Sequence, residues 1–280
     1  MTEEKKTNGL QLFNRTITST STQKYLQDVL GERKGSFVNN LTALVANNEN
    51  LQECQPLTLI FAAMKSTALD LPLDNSLGFA YVIPYKDNRK GTTVAQFQLG
   101  YKGVKQLALR TGQFTIINAT DVREGEIIKR NRLTGEIDFN FVEEDKARLN
   151  LPIIGYVSFF RLVNGFESTL FMSKEEMDAH ALRYSQTYRS KTDYVKKSSK
   201  WTTDFDAMAL KTVTKLNLSK NAPLSVELAD AIKADQSVMR KSENDYEYID
   251  NETKVLVDTE KAKEVAEKFA DFQQATLLEQ

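Results

Sequence analysis

The chain has 280 residues, of which 41% are hydrophobic, with one cysteine, one histidine and a formal net charge of −1. This length can bury a substantial core, and one cysteine excludes both an intramolecular disulfide and a cysteine-cluster zinc site. No apolar run reaches the roughly 18 residues that span a membrane, and the polar start is unlike a secretion signal. We therefore expect a cytoplasmic protein with no membrane contact.

The N-terminal third of the sequence predicts an arm, two helices and a strand-turn-helix stretch. Residues 1–35 are polar and weakly periodic, which predicts a loosely ordered arm. Apolar residues at helical spacing then predict two packed helices, the second of which begins at Pro56. After a strand over 78–85, the stretch 94–112 alternates like a strand and continues as a short amphipathic helix. Its Gly100–Gly103 turn is expected to present Tyr101 and Lys102.

The rest of the chain is predicted to contain hairpins followed by helices. A strand pattern after Gly112 precedes a hairpin with a basic tip, and Asn164-Gly165 marks a second hairpin. Ser173 and Glu176 form a capping box that begins a helix. The predicted elements are strands over 113–122, 125–130, 136–142, 153–163 and 166–172, a helix from 173, a mobile surface segment over 185–201, an amphipathic helix from 203 or 204 to 220, and a short helix over 224–232.

The charge is segregated along the chain rather than spread evenly. Residues 86–132 carry ten Lys or Arg against four acids, and residues 181–220 carry nine against three, so each segment has a net charge of +6. From residue 241 onward, five lysines face eleven acids, which gives −6. This pattern indicates a basic working surface and an acidic tail.

These patterns predict an α+β fold. We expect antiparallel sheet and hairpins packed with several helices in one main domain over residues 36–233. The flexible N-terminal arm over residues 1–35 precedes this domain. A flexible acidic C-terminal appendage over residues 234–280, a linker followed by a small helical tail, follows it.

Recognisable catalytic motifs are missing from the sequence. There is neither a GxxxxGK[ST] loop nor a GxGxxG turn, so ATP is not expected as a cofactor. His180 is the only histidine, and on a helix among alanines and a leucine it is more typical of a structural residue than of a catalytic one, so no role is assigned to it. The acid pairs Glu143-Glu144 and Glu175-Glu176 are adjacent in sequence, so their side chains point apart rather than converging on a metal. No metal site is predicted, and any dependence on Mg²⁺ is left open.

Aromatic residues are interleaved with the cations of the two basic segments. Such a surface suits single-stranded nucleic acid, because cations neutralise phosphates while aromatic faces stack on any base. Trp201 precedes an amphipathic helix and is expected to pack in the core. The Gly100–Gly103 turn matches the GXXG loop of KH modules, but the preceding strand argues against that family. The aromatic residues concerned are Tyr101, Tyr184, Tyr188, Tyr194 and Trp201.

Several segments together resemble the RecT family of phage and prophage single-strand annealing proteins. They are GFAYVIPY, QFQLGYKGVKQLALRTGQ, VREGE, WTTDFDAMALKTVTKLNL and PLSVELADAI, and the resemblance extends from about residue 44 to residue 232. It implies a recombinase that works without ATP in the bacterial host cell. Such a protein coats single-stranded DNA and pairs it with a complementary strand. It holds the annealed duplex in an oligomeric ring or helical filament. A phage exonuclease and the host single-strand binding protein are the implied partners.

The predicted DNA-binding surface combines the strand-turn-helix stretch, the basic hairpin tip, the helix after Ser173 with the segment that follows it, and the late amphipathic helix. Its residues are Tyr101, Lys102, Lys105, Arg110, Lys129, Arg130, Arg132, Arg183, Tyr184, Tyr188, Arg189, Lys197, Lys200, Lys211 and Lys215. Lys211 and Lys215, four residues apart, are expected on one exposed edge. The alternatives are a metal-dependent phage nuclease and a purely structural phage assembly protein.

Overall fold

The computed structural model describes residues 3–74, 76–87, 89–242 and 246–247, with side chains from Gly9 onward. The helices are α1 (Glu3–Thr18), α2 (Thr20–Leu30), α3 (Lys34–Ala46), α4 (Glu49–Gln52), α5 (Pro56–Ala68), α6 (Tyr101–Arg110), α7 (Asp145–Leu149), α8 (Lys174–Tyr184), α9 (Asp193–Ser198), α10 (Lys200–Thr203), α11 (Phe205–Asn221) and α12 (Val226–Ala234). The strands are β1 (Ala80–Asp87), β2 (Thr92–Leu99), β3 (Phe114–Arg123), β4 (Ile127–Arg130), β5 (Ile137–Phe139), β6 (Ile153–Leu162), β7 (Glu167–Ser173), β8 (Ser237–Met239) and β9 (Tyr246–Glu247).

The predicted α+β class is confirmed, because helices combine with sheets whose strand pairs are antiparallel. The chain divides into two compact units, where a single main domain was predicted. The first unit contains the chain up to Leu99 and again from Lys233, and the second unit is Gly100–Ile232. The division falls inside the stretch 94–112, so its strand β2 and its helix α6 belong to different units.

The first unit is built around α5, which is buried at every position from 58 to 66. Pro56 stands in the first turn of this helix, as predicted, where its missing N–H costs no hydrogen bond. A four-stranded sheet in the order β1-β2-β8-β9 packs against α5. The only cysteine, Cys54, is buried, and this burial raises the pKa of its thiol to about 12.

The prediction of a loosely ordered arm over residues 1–35 is wrong for the described residues, because α1 and α2 occupy most of this range. Phe13 and Ile17 on α1 and Leu26 on α2 are almost completely buried. Gly9 brings α1 against the turn of α4, since a Cβ at this position would lie 2.2 Å from the backbone oxygen of Gln52. Some apolar residues of this polar segment are therefore packed while others stay exposed, which explains its weak periodicity.

The C-terminal appendage predicted over residues 234–280 is also corrected where it is described. Strands β8 and β9 extend the β1-β2 hairpin into the four-stranded sheet. The guanidinium of Arg240 donates to the buried carboxylate of Asp87 at 2.7 Å and also pairs with Glu247. Lys65 of α5 donates to the Tyr246 hydroxyl at 2.5 Å. The small helical tail predicted further on lies outside the described residues.

The second unit is a three-stranded sheet, β3-β6-β7, covered on both faces. Successive residues of a strand point to opposite faces, so Tyr156 and Val157 of β6 mark the two sides. Tyr156 lies in a core with Met177 of α8 and Val213 of α11, so the helices cover one face. Val157 lies in a second core against residues of β4 and β5, which cover the other face. This second core is small, and it holds the β4–β5 hairpin against the sheet.

The local signals in this unit are confirmed. Asn164-Gly165 forms the turn between β6 and β7, with Gly165 at φ +85°, a left-handed conformation that favours glycine. Ser173 and Glu176 form the predicted capping box at the start of α8. The short helix α7, which follows the β4–β5 hairpin, was not predicted from the sequence.

Candidate nucleic-acid interface

All fifteen residues predicted to bind DNA lie in the second unit. Nine are exposed, five are half-buried and one is buried. The exposed residues are Lys102, Arg110, Lys129, Arg130, Arg132, Arg183, Arg189, Lys197 and Lys200. The half-buried residues are Tyr101, Lys105, Tyr184, Tyr188 and Lys215, and the buried residue is Lys211.

Helix α6 begins at Tyr101, with Gly100 as its N-cap. Gly103 is therefore buried inside the helix, and the predicted Gly100–Gly103 turn is wrong because the helix starts earlier. Tyr101 bonds to Thr214 of α11 through its hydroxyl, and burial, the larger influence, raises the pKa of this hydroxyl. The ammonium of Lys105 lies 5.5 Å from the centre of the Tyr101 ring. Tyr101 thus joins α6 to α11, and its ring contacts Lys105, a cation of α6.

The exposed edge predicted for α11 is corrected by the position of Lys211. This residue is 9% exposed, because α11 is enclosed on several sides by the sheet and its neighbouring helices. The same enclosure buries Asn217, whose amide donates to the backbone oxygens of Ser158 at 3.0 Å and Ser168 at 3.3 Å. Lys215 is half-buried, whereas Lys220, which the sequence analysis did not select, is exposed at the end of the helix. The cation of α11 that faces solvent is therefore Lys220, about one turn beyond Lys215.

An aromatic and basic cluster lies around His180 on α8, and we name it the His180 cluster. The imidazole lies 4.6 Å from the ring of Tyr184 and 6.5 Å from that of Trp201, measured between centroids. Arg183 lies over the Tyr184 ring at 5.4 Å. Burial, followed by the positive charges of Lys215, Arg183 and Lys220, lowers the pKa of His180 to about 4. Cations of α8 and α11 therefore act together at this ring.

The segment 185–201 is more ordered than the mobile surface that the sequence predicts. It contains α9 and the start of α10, and its bonds include the Tyr188 hydroxyl donating to Asp178 of α8 at 2.6 Å. This bond raises the pKa of Tyr188 to about 12. Trp201 is buried, as predicted. Tyr194, in contrast, is 83% exposed and presents a free aromatic face to solvent.

The exposed cations Lys129, Arg130 and Arg132 lie at the end of the β4–β5 hairpin, which we name the basic hairpin. Arg130 lies over the ring of Phe171 of β7 at 5.6 Å, so this guanidinium contacts the sheet that the hairpin covers. The sequence predicted both the hairpin and its basic end. These side chains are long and solvated, which is the condition for exchanging water and counterions for phosphate contacts.

Four charged residues fasten the base of the basic hairpin, and we name them the Arg123–Arg148 cluster: Asp121, Arg123, Glu126 and Arg148. Arg148 of α7 pairs with Glu126 at 2.7 Å and with Asp121 at 3.3 Å. Arg123 pairs with Asp121 at 2.7 Å, and its Nη1 donates to three carbonyl oxygens at the end of α7. The Glu126 carboxylate is fully buried and also accepts from the backbone N–H of Arg123.

The carboxylates of this cluster are held in their charged form. Burial alone would raise the pKa of Glu126, but hydrogen bonds from Arg148 and from the backbone of Arg123 and Val142 outweigh it. The pKa of Glu126 is therefore below its usual value. The pKa of Asp121 is lowered in the same way by Arg123 and Arg148, against the effect of burial.

Within the described ranges, no group of three or more His, Cys, Asp or Glu side chains is arranged to hold a metal ion. No helix in the described part of the chain is long and apolar enough to cross a membrane. The arrangement offers exposed cations on α6, on the basic hairpin and on the segment after α8. These groups bind anions through charge and hydrogen bonds, and the exposed ring of Tyr194 is available for stacking.

A model of the RecT family matches residues 35–252. The chain belongs to this family. It is 38% identical over 250 residues to YqaK of Bacillus subtilis (strain 168). The aligned region covers 88% of the chain and 81% of YqaK. It is 26% identical over 194 residues to RecT of Escherichia coli (strain K12). The aligned region covers 66% of the chain and 65% of RecT.

The RecT-family match explains the resemblance seen in the sequence and extends it in both directions. It begins in α3 and reaches past β9, so it includes residues of both compact units. The segment VREGE, which contributed to the RecT resemblance, supplies Arg123 and Glu126 of the Arg123–Arg148 cluster. This RecT-like motif therefore has a structural role, because it secures the base of the basic hairpin.

Sequence reasoning missed Arg148, Lys220 and the position of His180 within a basic cluster. Arg148 and its carboxylate partners are more than 20 residues apart in sequence, so no local pattern indicates the ion pairs. Lys220 follows the apolar stripe of α11 by one turn, and this position could have been selected from helical spacing. His180 gave no signal, because a lone histidine beside alanines is typical of a packed residue.

Proposed function

We propose that this protein anneals complementary single strands of DNA without ATP, with the DNA held on the basic side chains of its second unit. The observation that carries the proposal is the RecT-family match over residues 35–252, because it covers every residue of that unit. The exposed cations on α6, the basic hairpin and the segment after α8 support it. All of these are contributed by one compact unit.

The chemistry of this surface favours binding without sequence preference. Lys and Arg side chains contact phosphates, which are the same in every nucleotide, and leave the base edges free to test a second strand. Stacking of a base on an exposed aromatic ring such as Tyr194 is worth about 1–3 kcal/mol and does not depend on the base. A complementary strand adds base-pairing energy at each position, so it is retained longer than a random strand.

Oligomerisation is part of the proposal. Copies arranged in a ring or helical filament would extend the length over which pairing energies add, and the annealed duplex would remain bound to them. An exonuclease that produces single strands and a host single-strand binding protein are the proposed partners, and the bacterial cytoplasm is the proposed location. These steps require no nucleotide hydrolysis.

Mixing complementary fluorescent oligonucleotides without ATP tests the function directly. We expect the full-length protein to accelerate annealing over the protein-free rate, and to lose this effect as salt rises, because phosphate contacts weaken with salt. Absence of acceleration at low salt would contradict the proposal. Metal-dependent shortening of the labelled strands in the same reactions would favour the alternative, a phage nuclease.

A further inference from the structure

The positive charges that act on His180 come from two helices, α8 and α11. His180 lies on α8, half-buried between the rings of Tyr184 and Trp201. Arg183 comes from the same helix, and Lys215 and Lys220 come from α11. Because this is the only histidine of the chain, any imidazole titration of the protein belongs to this site.

The two carboxylates that precede His180 by two and four residues on α8 accept hydrogen bonds from other groups. Asp178 accepts from the Tyr188 hydroxyl at 2.6 Å, and Glu176 accepts from the backbone N–H of Ser173 at 2.9 Å. From α10, the side chain facing the imidazole is the uncharged Trp201. Burial and the positive charges of Lys215, Arg183 and Lys220 together lower the pKa of the imidazole to about 4, so it is neutral in the free protein at pH 7.

We propose that His180, Arg183 and Lys220 form a phosphate-binding site for the DNA backbone, in which His180 takes up a proton from solvent when the phosphate binds. The inference rests on the proposed function and assigns a protonation step to one part of the surface. Burial and the neighbouring cations both disfavour the imidazolium, and an anion among these groups offsets the repulsion from the cations and stabilises the charged ring. The protonated ring then has N–H groups on both nitrogens, so it adds a charge-assisted donor for a phosphate oxygen.

Proton uptake makes DNA binding depend on pH in a defined direction. Between the pKa of His180 in the free protein and its higher value in the complex, binding adds up to one proton per site. Lowering the pH by one unit in this window therefore strengthens binding by up to about tenfold. Above the higher pKa the effect vanishes, because the ring stays neutral in both states.

Calorimetric titration of the full-length protein with oligothymidylate measures this uptake, because thymine does not titrate in this range. The titration is repeated at pH 6.0 and pH 8.0 in pairs of buffers with different ionisation enthalpies. We expect proton uptake at pH 6.0, little at pH 8.0, and loss of the pH 6.0 uptake in His180→Gln. Equal uptake in wild type and His180→Gln, or none in the wild type, would overturn the inference.

A variant of Lys220 provides a second test. The side chain is exposed, so replacing it should not disturb the fold. Lys220→Gln should lower the slope of log affinity against log salt by about 0.7, the value for one phosphate contact on a single strand. Lys174→Gln removes the same charge from an exposed position of α8 and should leave the slope unchanged. An unchanged slope in Lys220→Gln would remove this cation from the site.

Failure of this inference is distinguishable from failure of the proposed function. Wild-type protein that binds oligothymidylate and anneals strands at pH 8.0, without proton uptake at pH 6.0, would contradict only the role of His180. Wild-type protein that does not bind oligothymidylate at either pH would contradict both.

Discussion

Replacing Arg148 by leucine should lower the free energy of unfolding by about 3–5 kcal/mol, the usual cost of leaving a buried charge without its partner. The Glu126 carboxylate is fully buried and depends on Arg148 for two of its hydrogen bonds. Leucine keeps the apolar part of the side chain but removes all of these donors. Urea unfolding followed by circular dichroism measures the change.

Arg161 supplies the matched control, because it forms an exposed ion pair with Glu167 at the end of the β6–β7 hairpin. Arg161→Leu should cost at most about 1 kcal/mol, as expected for a solvated pair. If the two variants lose the same stability, the Arg123–Arg148 cluster is not a stabilising feature of the second unit.

The effect of Arg148→Leu should also depend on pH. The pKa of Glu126 is lowered by folding, so its contribution to stability is complete above the unfolded pKa and is lost as the pH falls through the folded value. The difference between wild type and Arg148→Leu should therefore shrink in acid. A constant difference from pH 7 to pH 3 would mean that the ionised carboxylate is not the origin of the effect.

Neutralising the basic hairpin should weaken binding of single-stranded DNA by more than tenfold at moderate salt and reduce the salt slope by about 2. This estimate assumes that Lys129, Arg130 and Arg132 each contact one phosphate, with a slope of about 0.7 per contact on a single strand. The triple glutamine variant keeps polar side chains on an exposed hairpin, and circular dichroism checks that losing the Arg130 contact with Phe171 leaves the fold intact. Fluorescence anisotropy with oligothymidylate at several salt concentrations provides the measurement.

The control for this variant removes the same number of charges from exposed positions outside the candidate surface. Lys24, Lys146 and Lys174 are exposed lysines that meet this condition, and their triple glutamine variant should keep most of the salt slope. If both triple variants weaken binding equally, net charge rather than the basic hairpin governs the affinity.

Much of the fold follows from local sequence signals, because the energy of those elements is itself local. Pro56, the Asn164-Gly165 turn and the Ser173–Glu176 capping box each satisfy or preset backbone groups within a few residues. Helices α1 and α2 were missed, since their stability comes from a few buried side chains such as Phe13 rather than from a regular pattern. Strand β8 was missed because its three residues are defined by pairing with β2, far away in sequence.

The candidate site was predictable in composition but not in geometry. The sequence identified two basic segments, and their exposed members Lys102, Arg130 and Arg183 do lie in one compact unit. Burial of Lys211 could not be read from helical spacing, because α11 is covered on more than one side. The charges around His180 come from two helices about 35–40 residues apart in sequence, and only their tertiary packing brings them together.

Electron cryo-microscopy of the full-length protein bound to single-stranded DNA would show which of the two units holds the DNA. We expect the DNA backbone to lie against the second unit, within reach of Lys102, the basic hairpin and Arg183. DNA that contacts only residues before Gly100 or after Ile232, and leaves these cations in solvent, would contradict this expectation.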